Sequence, residues 1–242
     1  MANLLIEIGN TAVKAAWAEG TVLGRTVRYQ GERVMNFIAS VVGRQYPSVL
    51  AVASVRNVSP EDQESLKGLC QHLLLLDPSH PGLLAEYGVP EFLSYDRGAS
   101  LVAAKHMFGG KACTVFDLGT TLTVDNLAAD GHYAGGAVSL GCRTRFKALN
   151  RYSRALPLVN MPRETAPAGD SVVSSIETGV ISGIMFEIEG YIRSNPDSIV
   201  IFTGGDAIYF AKRMKNSIFV VCNLGLMGLA IITDEYAKKI IQ

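Results

Sequence analysis

The sequence has no excess charge and no long apolar run, and each absence excludes a class of protein. Its 22 Lys and Arg residues balance 22 Asp and Glu residues, so no basic surface is expected to attract nucleic acid. No apolar stretch approaches the ~20 residues that a helix needs to cross a bilayer. The apolar run at the N-terminus follows no cationic segment and is interrupted by Glu7, which argues against a signal peptide. The sequence therefore predicts a cytoplasmic protein that binds neither nucleic acid nor membranes.

Cysteine and histidine are too few and too scattered for a disulfide or zinc framework. The four histidines show no ligand spacing, and no Cys-x-x-Cys occurs. Free thiols are therefore expected, as is usual inside cells. The chain has 242 residues, 48% of them apolar, which is enough for one large domain or two small ones. The cysteines are Cys70, Cys113, Cys142 and Cys222.

Strand and turn signals repeat once along the chain. Three strands are predicted at the start of each half, at 3–8, 12–18 and 26–29, and again at 112–117, 122–126 and 132–138. Alternating segments follow, with helices at 34–42, 61–70, 96–107, 142–152, 175–194, 207–215 and 224–241 and strands at 48–55, 73–76, 198–202 and 219–221. This pattern predicts a duplicated α/β unit, with domains at 1–109 and 110–242 packed around a cleft.

Each half places an acidic residue, a glycine and small polar residues directly after its first strand, in EIGNTAVK (7–14) and FDLGTTLTVD (116–125). Glycine lets the backbone approach a ligand, and consecutive N–H groups can bind an anion. A carboxylate beside them would repel phosphate unless a metal ion lies between, so the pattern indicates Mg²⁺-bridged phosphate binding. One such turn alone is an ordinary hairpin turn. Two equivalent copies favour a clamp on a polyphosphate.

A third glycine-rich stretch, TGGDA (203–207), lies between a predicted strand and a predicted helix. Nucleotides commonly bind at such a junction, because the helix N-terminus and the bare backbone both favour phosphate. Alone, the stretch would be interpreted as a tight strand–helix turn. Together with the two earlier turns, it favours a nucleotide site.

These stretches, in this order, resemble the actin-like ATPase superfamily, and nearly the whole chain is similar to the type III pantothenate kinases. The matching stretches are EIGNTAVK, SYDR (94–97) with Tyr87 upstream, DLGTTLTVD, GGAVSLG (135–141), AGDSVVSSIETGVISG and TGGDA. The resemblance implies an α/β fold of duplicated actin-like (ribonuclease H-like) domains, with mixed sheets flanked by helices. It implies ATP-dependent phosphorylation of pantothenate to 4′-phosphopantothenate, the first step of coenzyme A biosynthesis. It also implies Mg²⁺ with ATP, a monovalent cation (K⁺ or NH4⁺) and a homodimer.

The resemblance further implies a role for individual residues. Asp96 matches the general base, and Arg97 matches the residue that holds the pantothenate carboxylate. Asp117 matches the ligand of the monovalent cation, and Glu7 is a candidate Mg²⁺ ligand. The other implied substrate-binding residues are Tyr87, Ser94, Tyr95 and Ser171. The implied ATP- and phosphate-binding residues are Glu7, Ile8, Gly9, Asn10, Thr11, Ala12, Val13, Lys14 and Thr120. Two simpler interpretations stay open: Asp96 as a helix N-cap, and Lys14 as a solvated strand residue.

The sequence departs from the family pattern at several site positions. Glu7 replaces Asp, and the longer side chain displaces a carboxylate that should face Mg²⁺. The other departures are Ser94 for Gly, Gly98 for Trp, Leu140 for Pro and Ser171 for Thr. They leave two alternatives to a pantothenate kinase. One is another small-molecule kinase with the same fold, and the other is a non-catalytic regulatory protein on a kinase fold.

Overall fold

A computed structural model describes residues 2–241, which form two compact units. The first unit contains the described residues up to Gly109, together with Gly131–Tyr133 and the described residues from Asn223 onwards. The second contains Gly110–Asp130 and Ala134–Cys222. The break near Gly109 lies where the sequence pattern restarts. The structure differs from the predicted domains 1–109 and 110–242 in the last helix, which packs within the first unit.

The first unit is built on a mixed sheet with the strand order β3-β2-β1-β5-β6, and β4 also pairs with β2. Its strands are β1 (Ala2–Ile8), β2 (Val13–Glu19), β3 (Val22–Leu23), β4 (Val27–Tyr29), β5 (Val49–Ser54) and β6 (His72–Leu76). The central strand β1 is antiparallel to β2 and parallel to β5. The three strands predicted at the start of the chain are therefore confirmed, and β1, β2 and β4 pair as an antiparallel meander. The two-residue strand β3 is an addition that the sequence pattern did not predict.

The second unit repeats this plan. Its strands are β7 (Cys113–Leu118), β8 (Thr121–Leu127), β9 (Tyr133–Leu140), β10 (Ile199–Thr203) and β11 (Ile218–Val220), in the order β11-β10-β7-β8-β9. Strand β7 is antiparallel to β8 and parallel to β10, as β1 is antiparallel to β2 and parallel to β5. The duplication predicted from the sequence is thus present in the sheet topology.

Helices cover both sheets. They are α1 (Val34–Val42), α2 (Pro60–Lys67), α3 (Tyr95–Met107), α4 (Cys142–Tyr152), α5 (Val172–Ser194), α6 (Ala207–Ala211) and α7 (Leu224–Ile241), with a short 3-10 helix at Ala85–Tyr87. In the first unit, α1 and α2 cover an apolar sheet face through Ile38 and Leu66. In the second, α4 and α5 cover the face that carries Phe116 and Phe202. None of the described helices is long and apolar enough to cross a membrane.

Helix α7 packs closely against α3 within the first unit. Gly228 lies directly against the backbone carbonyl of Ala99, so a side chain at position 228 would overlap it. The two helix axes can approach closely because glycine has no side chain between them. This packing brings the N-terminal turn of α7 beside β1, where Glu7 lies.

Three helix boundaries differ from the predicted ones by three or four residues. Helix α2 ends at Lys67 rather than 70, and the other two differences have identifiable reasons. Helix α5 begins at Val172 rather than 175 because Ser171 and Ser174 form a capping box. Helix α6 ends at Ala211 rather than 215. The backbone N–H of Arg213 donates to the Phe210 carbonyl, and its guanidinium donates to the Tyr209 carbonyl at 2.8 Å. The side chain therefore occupies the acceptor that a further helical turn would need.

All four cysteines are free thiols, as predicted. Three are buried and only Cys222 is exposed. Burial raises the pKa of Cys142 to about 12, with a further contribution from the charge of Asp206. The buried thiols are therefore fully protonated at neutral pH.

Candidate active site

The first glycine-containing turn joins β1 to β2. Glu7 and Lys14 lie opposite each other in the strand register, and Lys14 Nζ donates to Glu7 Oε1 at 2.7 Å. The Lys14 side chain is only 26% exposed, and the Glu7 side chain is only 13% exposed. The turn is closed by the Gly9 N–H, which donates to the Ala12 carbonyl at 3.0 Å. The interpretation of Lys14 as a solvated strand residue is therefore wrong, because its charge is engaged by Glu7.

The Glu7 carboxylate also reaches the first turn of α7. A Cβ atom built on Gly225 would lie 2.7 Å from Glu7 Oε2 and 3.6 Å from the hydroxyl of Ser100. Glu7 therefore occupies space that any larger residue at position 225 would fill. The Ser100 hydroxyl donates to the Asp96 carbonyl at 2.9 Å, so the Glu7 carboxylate lies close to the first turns of α3.

Asp96 lies in the first turn of α3, two residues beyond the N-cap. Ser94 is the N-cap residue, with an extended backbone (φ −63°, ψ 151°), so the interpretation of Asp96 as the N-cap is wrong. Asp96 Oδ1 accepts a hydrogen bond from the Arg97 N–H at 2.9 Å. A carboxylate at this place also interacts favourably with the positive end of the helix dipole.

Gly98, one of the positions where the sequence departs from the pattern that it resembles, is enclosed by the preceding loop. A Cβ atom there would lie 2.6 Å from Leu84 Cδ1 and 3.0 Å from Val89 Cγ1. The loop thus fills the volume that a larger residue at position 98 would need. The departure from the family pattern therefore belongs to the packing of this loop and leaves the first turn of α3 intact.

The loop that precedes α3 is held by a buried carboxylate. Asp77 is fully buried and accepts hydrogen bonds from the Val58 N–H at 2.8 Å, the Ser79 N–H at 3.0 Å and His80 Nδ1 at 2.8 Å. The hydroxyl of Tyr95 in turn donates to the His80 carbonyl. This chain of contacts connects Asp77 to the residue directly before Asp96.

We predict that Asp77→Asn lowers the free energy of unfolding by about 2–3 kcal/mol at neutral pH. Burial would raise the pKa of Asp77, but the hydrogen bonds from Ser79, Val58 and His80 outweigh it and hold this pKa below its usual value. The folded carboxyl therefore binds fewer protons than the unfolded one. Its contribution is complete above the ordinary aspartate pKa and is lost as the pH falls through the folded pKa.

Urea unfolding at pH 7 and at progressively lower pH measures this effect. The difference between wild type and Asp77→Asn should shrink in acid, because only the wild-type side chain titrates. Glu64→Gln, a change at an exposed residue of α2, provides the control. A difference that stays constant down to pH 3 would contradict the assigned role of Asp77.

Tyr87 lies at the end of the short 3-10 helix and is bound to α7. Its hydroxyl donates to Glu235 Oε2 at 2.7 Å, and a neighbouring ion pair joins Glu86 to Lys239 at 2.7 Å. Burial raises the pKa of Tyr87, and the hydrogen bond to Glu235 and its charge add to the rise. The tyrosine is therefore a neutral hydrogen-bond donor across the physiological pH range.

The second glycine-containing turn joins β7 to β8 and is enclosed by two further glycines. Its own Gly119 N–H donates to the Thr121 carbonyl at 3.0 Å. Gly141 lies against the carbonyls of Gly119 and Thr120, and Gly204, with φ +91°, lies against Asp117 and Leu118. A Cβ atom at 141 or 204 would overlap these atoms. The start of α4 and the TGGDA loop are therefore fitted directly onto the turn that carries Asp117 and Thr120.

Ser171 is the N-cap of α5, and its side chain is part of the capping box. Its hydroxyl accepts from the Ser174 N–H at 3.2 Å, while its own N–H donates to the Ser174 hydroxyl at 3.0 Å. Ser171 also borders an open groove of about 1250 Å³ between α4 and α5. Its hydroxyl is exposed to that groove while it caps the helix.

The structure assembles the predicted residues into two groups, one in each unit. Glu7, Gly9–Lys14 and Asp96 belong to the first, and Asp117, Thr120 and TGGDA belong to the second. Within residues 2–241, no cluster of three His, Cys, Asp or Glu side chains forms a ready metal site. Sequence reasoning missed Gly225, beside Glu7, and Thr123, opposite Asp117 in the strand register. The alternation of side chains along β8 could have identified Thr123 as a residue on the same sheet face as Asp117. No local sequence pattern indicates that Gly225 lies beside Glu7.

Comparisons with known proteins match nearly the whole chain to one family. The sequence profile of the type III pantothenate kinase family matches residues 3–194. Proteins named type III pantothenate kinase from Cytophaga hutchinsonii and Flavobacterium johnsoniae are 35% and 34% identical to this chain. The matches cover 94% of this chain and 96% of the first relative, and 98% of both chains for the second.

Solved structures show the same fold at lower identity. The activator of the 2-hydroxyisocaproyl-CoA dehydratase from Clostridium difficile, with bound ADPNP, is 14% identical, with a TM-score of 0.61 over 100% of this chain and 97% of that chain. The ROK hexokinase from Thermus thermophilus is 12% identical, with a TM-score of 0.50 over 96% and 98% of the two chains. The predicted duplicated actin-like α/β fold is thereby confirmed.

Proposed function

The chain belongs to the type III pantothenate kinase family, and from this premise we propose which of its residues carry out the phosphorylation of pantothenate by ATP. Its reaction is the first step of coenzyme A biosynthesis. Neither alternative, a kinase for another substrate or a silent regulatory protein, is favoured by relatives that are named pantothenate kinases across the full chain. The observation that carries the proposal is the Glu7–Lys14 pair beside the helix that bears Asp96.

Asp96 is the proposed general base. It accepts the proton of the pantothenate primary hydroxyl while that oxygen bonds to the γ-phosphorus of ATP and the bond to the ADP oxygen breaks. Arg97 is proposed to hold the pantothenate carboxylate through its guanidinium fork. Tyr87, Ser94 and Tyr95 line the substrate site in this proposal, and Ser171 contributes its hydroxyl.

The two turns are proposed to bind the phosphates of ATP. In the first, the backbone of Ile8 to Val13 offers N–H groups, and Asn10 and Thr11 add polar side chains. In the second, Thr120 contacts a phosphate. Lys14 is placed to exchange its contact with Glu7 for a phosphate oxygen. Such an exchange preserves a charge-assisted bond for the ammonium group.

Two cations belong to this proposal. Mg²⁺ fits Glu7, because a carboxylate oxygen suits a hard cation and Gly225 leaves room for the longer acid. A monovalent cation, K⁺ or NH4⁺, fits Asp117, whose carboxylate lies in a glycine-lined cradle. When bound, these cations neutralise charge on the transferring phosphoryl group.

A homodimer is proposed through the apolar groove of the second unit. Several of its apolar side chains are solvent-exposed, among them Leu140, Leu149, Tyr152 and Val172. A continuous exposed apolar surface of this kind marks an interaction site. The proposed partners are therefore ATP, pantothenate and a second copy of the chain. The proposed location is the cytoplasm, which agrees with four unpaired cysteines.

We predict that Tyr152→Glu converts the dimer into a monomer, because the side chain is 85% exposed in the single chain and a buried carboxylate would oppose association. Light scattering should give about twice 26.0 kDa for wild type and 26.0 kDa for the variant. Val22→Glu, at an exposed apolar residue of β3, should leave the dimer intact. A monomeric wild type, or a dimeric Tyr152→Glu, would contradict this interface.

The reaction itself is tested by ADP release from purified protein with MgATP, with and without pantothenate. Each buffer contains either K⁺ or tetramethylammonium. Pantothenate-dependent turnover that needs K⁺ is the expected result. The absence of pantothenate-dependent turnover in both buffers would overturn the proposed activity. Turnover that is equal in the two buffers would overturn only the proposed requirement for a monovalent cation.

A further inference from the structure

Three oxygen-bearing side chains form a row across the sheet of the second unit. Thr123 on β8 lies opposite Asp117 on β7 in the antiparallel register, and Thr203 on β10 is in register with Asp117 on its other side. Strands β10, β7 and β8 are neighbours in the sheet. Residues paired in this way project from the same sheet face. That face is opposite to the one whose residues, such as Phe116 and Phe202, form the helix-covered core.

The Thr123 hydroxyl is buried without a hydrogen-bond partner. The residue is 6% exposed, and Oγ1 has no partner among the described residues. An unsatisfied buried hydroxyl costs about 1–3 kcal/mol and calls for an explanation in a native structure. Thr114, on the other face of the same sheet, shows the usual solution, because its hydroxyl bonds to Asn126 Oδ1 at 2.9 Å.

The Asp117 carboxylate lies in a cradle of glycine backbone. A Cβ atom on Gly204 would overlap Asp117 Oδ1, and one on Gly119 would lie 3.5 Å from it. The positive φ of Gly204, +91°, is a conformation that side-chain-bearing residues rarely adopt. Positions 119 and 204 thus place backbone and no side chain beside this carboxylate oxygen. Asp125, buried on the same face of β8, adds negative charge beyond the row.

We propose that Thr123 and Thr203 are further ligands of a monovalent cation whose charged ligand is Asp117. This inference rests on the proposed cation at Asp117 and adds two residues to it. Carboxylate and hydroxyl oxygens are ligands for hard cations rather than for soft metals. One carboxylate with two neutral hydroxyls gives the low charge count that suits a singly charged ion. In this proposal the cation is the polar partner that the Thr123 hydroxyl oxygen lacks among the described residues.

The thermal unfolding midpoint of the full chain, measured in KCl and in tetramethylammonium chloride at equal ionic strength, tests this site. K⁺ at ten times its dissociation constant should raise the wild-type midpoint by about 3–6 °C. Thr123→Val should lose most of this rise, whereas Thr123→Ser, which keeps the hydroxyl, should retain it. In tetramethylammonium chloride, Thr123→Val should be at least as stable as wild type, because the variant has no unsatisfied hydroxyl.

Three controls separate this inference from the proposed function. Thr114→Val removes a hydroxyl from the opposite face and should keep the K⁺ response, while Asp117→Asn should lose it. A response that survives Thr123→Val but not Asp117→Asn would overturn the role of Thr123 and leave the Asp117 site standing. A response that survives both, or a wild type without one, would overturn the site. The K⁺ concentration for half-maximal turnover should rise at least tenfold in Thr123→Val and stay near the wild-type value in Thr123→Ser.

Discussion

Asp96→Asn should lower turnover of ATP with pantothenate by about 10²–10⁴-fold, the range that general-base catalysis contributes. Asparagine has nearly the same shape as aspartate, and its side-chain oxygen can still accept from the Arg97 N–H, which donates to Asp96 Oδ1 at 2.9 Å. The substitution removes the ability to accept the substrate proton with little change in shape. Affinity for ATP, measured by calorimetry, should therefore change little.

The control for this variant is the same substitution in the first turn of another helix of the first unit. Asp62 lies in the first turn of α2, as Asp96 lies in the first turn of α3. Both variants lose the favourable interaction of a carboxylate with the helix N-terminus, about 0.3–1 kcal/mol. Asp62→Asn should therefore match Asp96→Asn in stability and wild type in turnover. Turnover of Asp96→Asn within threefold of wild type would remove Asp96 from the role of base.

Elements with strong periodicity could be predicted from the sequence nearly to the residue. Helices α1 and α4 begin and end where their apolar spacing predicts, at Val34–Val42 and Cys142–Tyr152. Side-chain contacts set the two missed boundaries that have an identified cause: a local capping box at the start of α5 and a long-range contact at the end of α6. The end of α6 depends on the Arg213 guanidinium, which also donates to the Arg163 carbonyl in a distant loop. A contact of that kind leaves no periodic signal along the chain.

The candidate site likewise has features that the sequence predicts and features that depend on tertiary packing. The Glu7–Lys14 pair is predictable, because a hairpin with Gly9 at its turn places these residues opposite each other. The same argument places Thr123 opposite Asp117. The Thr123 hydroxyl has no hydrogen-bond partner among the described residues. The sequence could not predict this, because it depends on which residues of other elements pack around the hydroxyl. The approach of Gly225 to Glu7 joins the two ends of the chain and depends on how α7 packs on α3.

Gly225→Ala should lower turnover by about 10–100-fold in the chain with Glu7 and by less than threefold in the chain with Glu7→Asp. In the first case the new methyl group would lie 2.7 Å from Glu7 Oε2, so the carboxylate must leave its place beside Lys14. In the second, the shorter acid does not reach the methyl group. Glu7→Asp alone should preserve or raise activity, because it introduces the residue that the resemblance to the family implies at this position.

The four proteins form a double-mutant cycle, in which turnover and the unfolding midpoint are both measured. The expected coupling between positions 7 and 225 is about 0.7–2.7 kcal/mol in the activation free energy, which corresponds to the ratio of the losses in the two backgrounds. Gly190→Ala is the matched control, because a Cβ atom at this helical glycine meets nothing within 4 Å. Equal losses from Gly225→Ala in both backgrounds would mean that Gly225 acts through α7 packing alone. A strong coupling would mean that a glycine on α7 is what allows this chain to use glutamate at position 7, where the resemblance to the family implies aspartate.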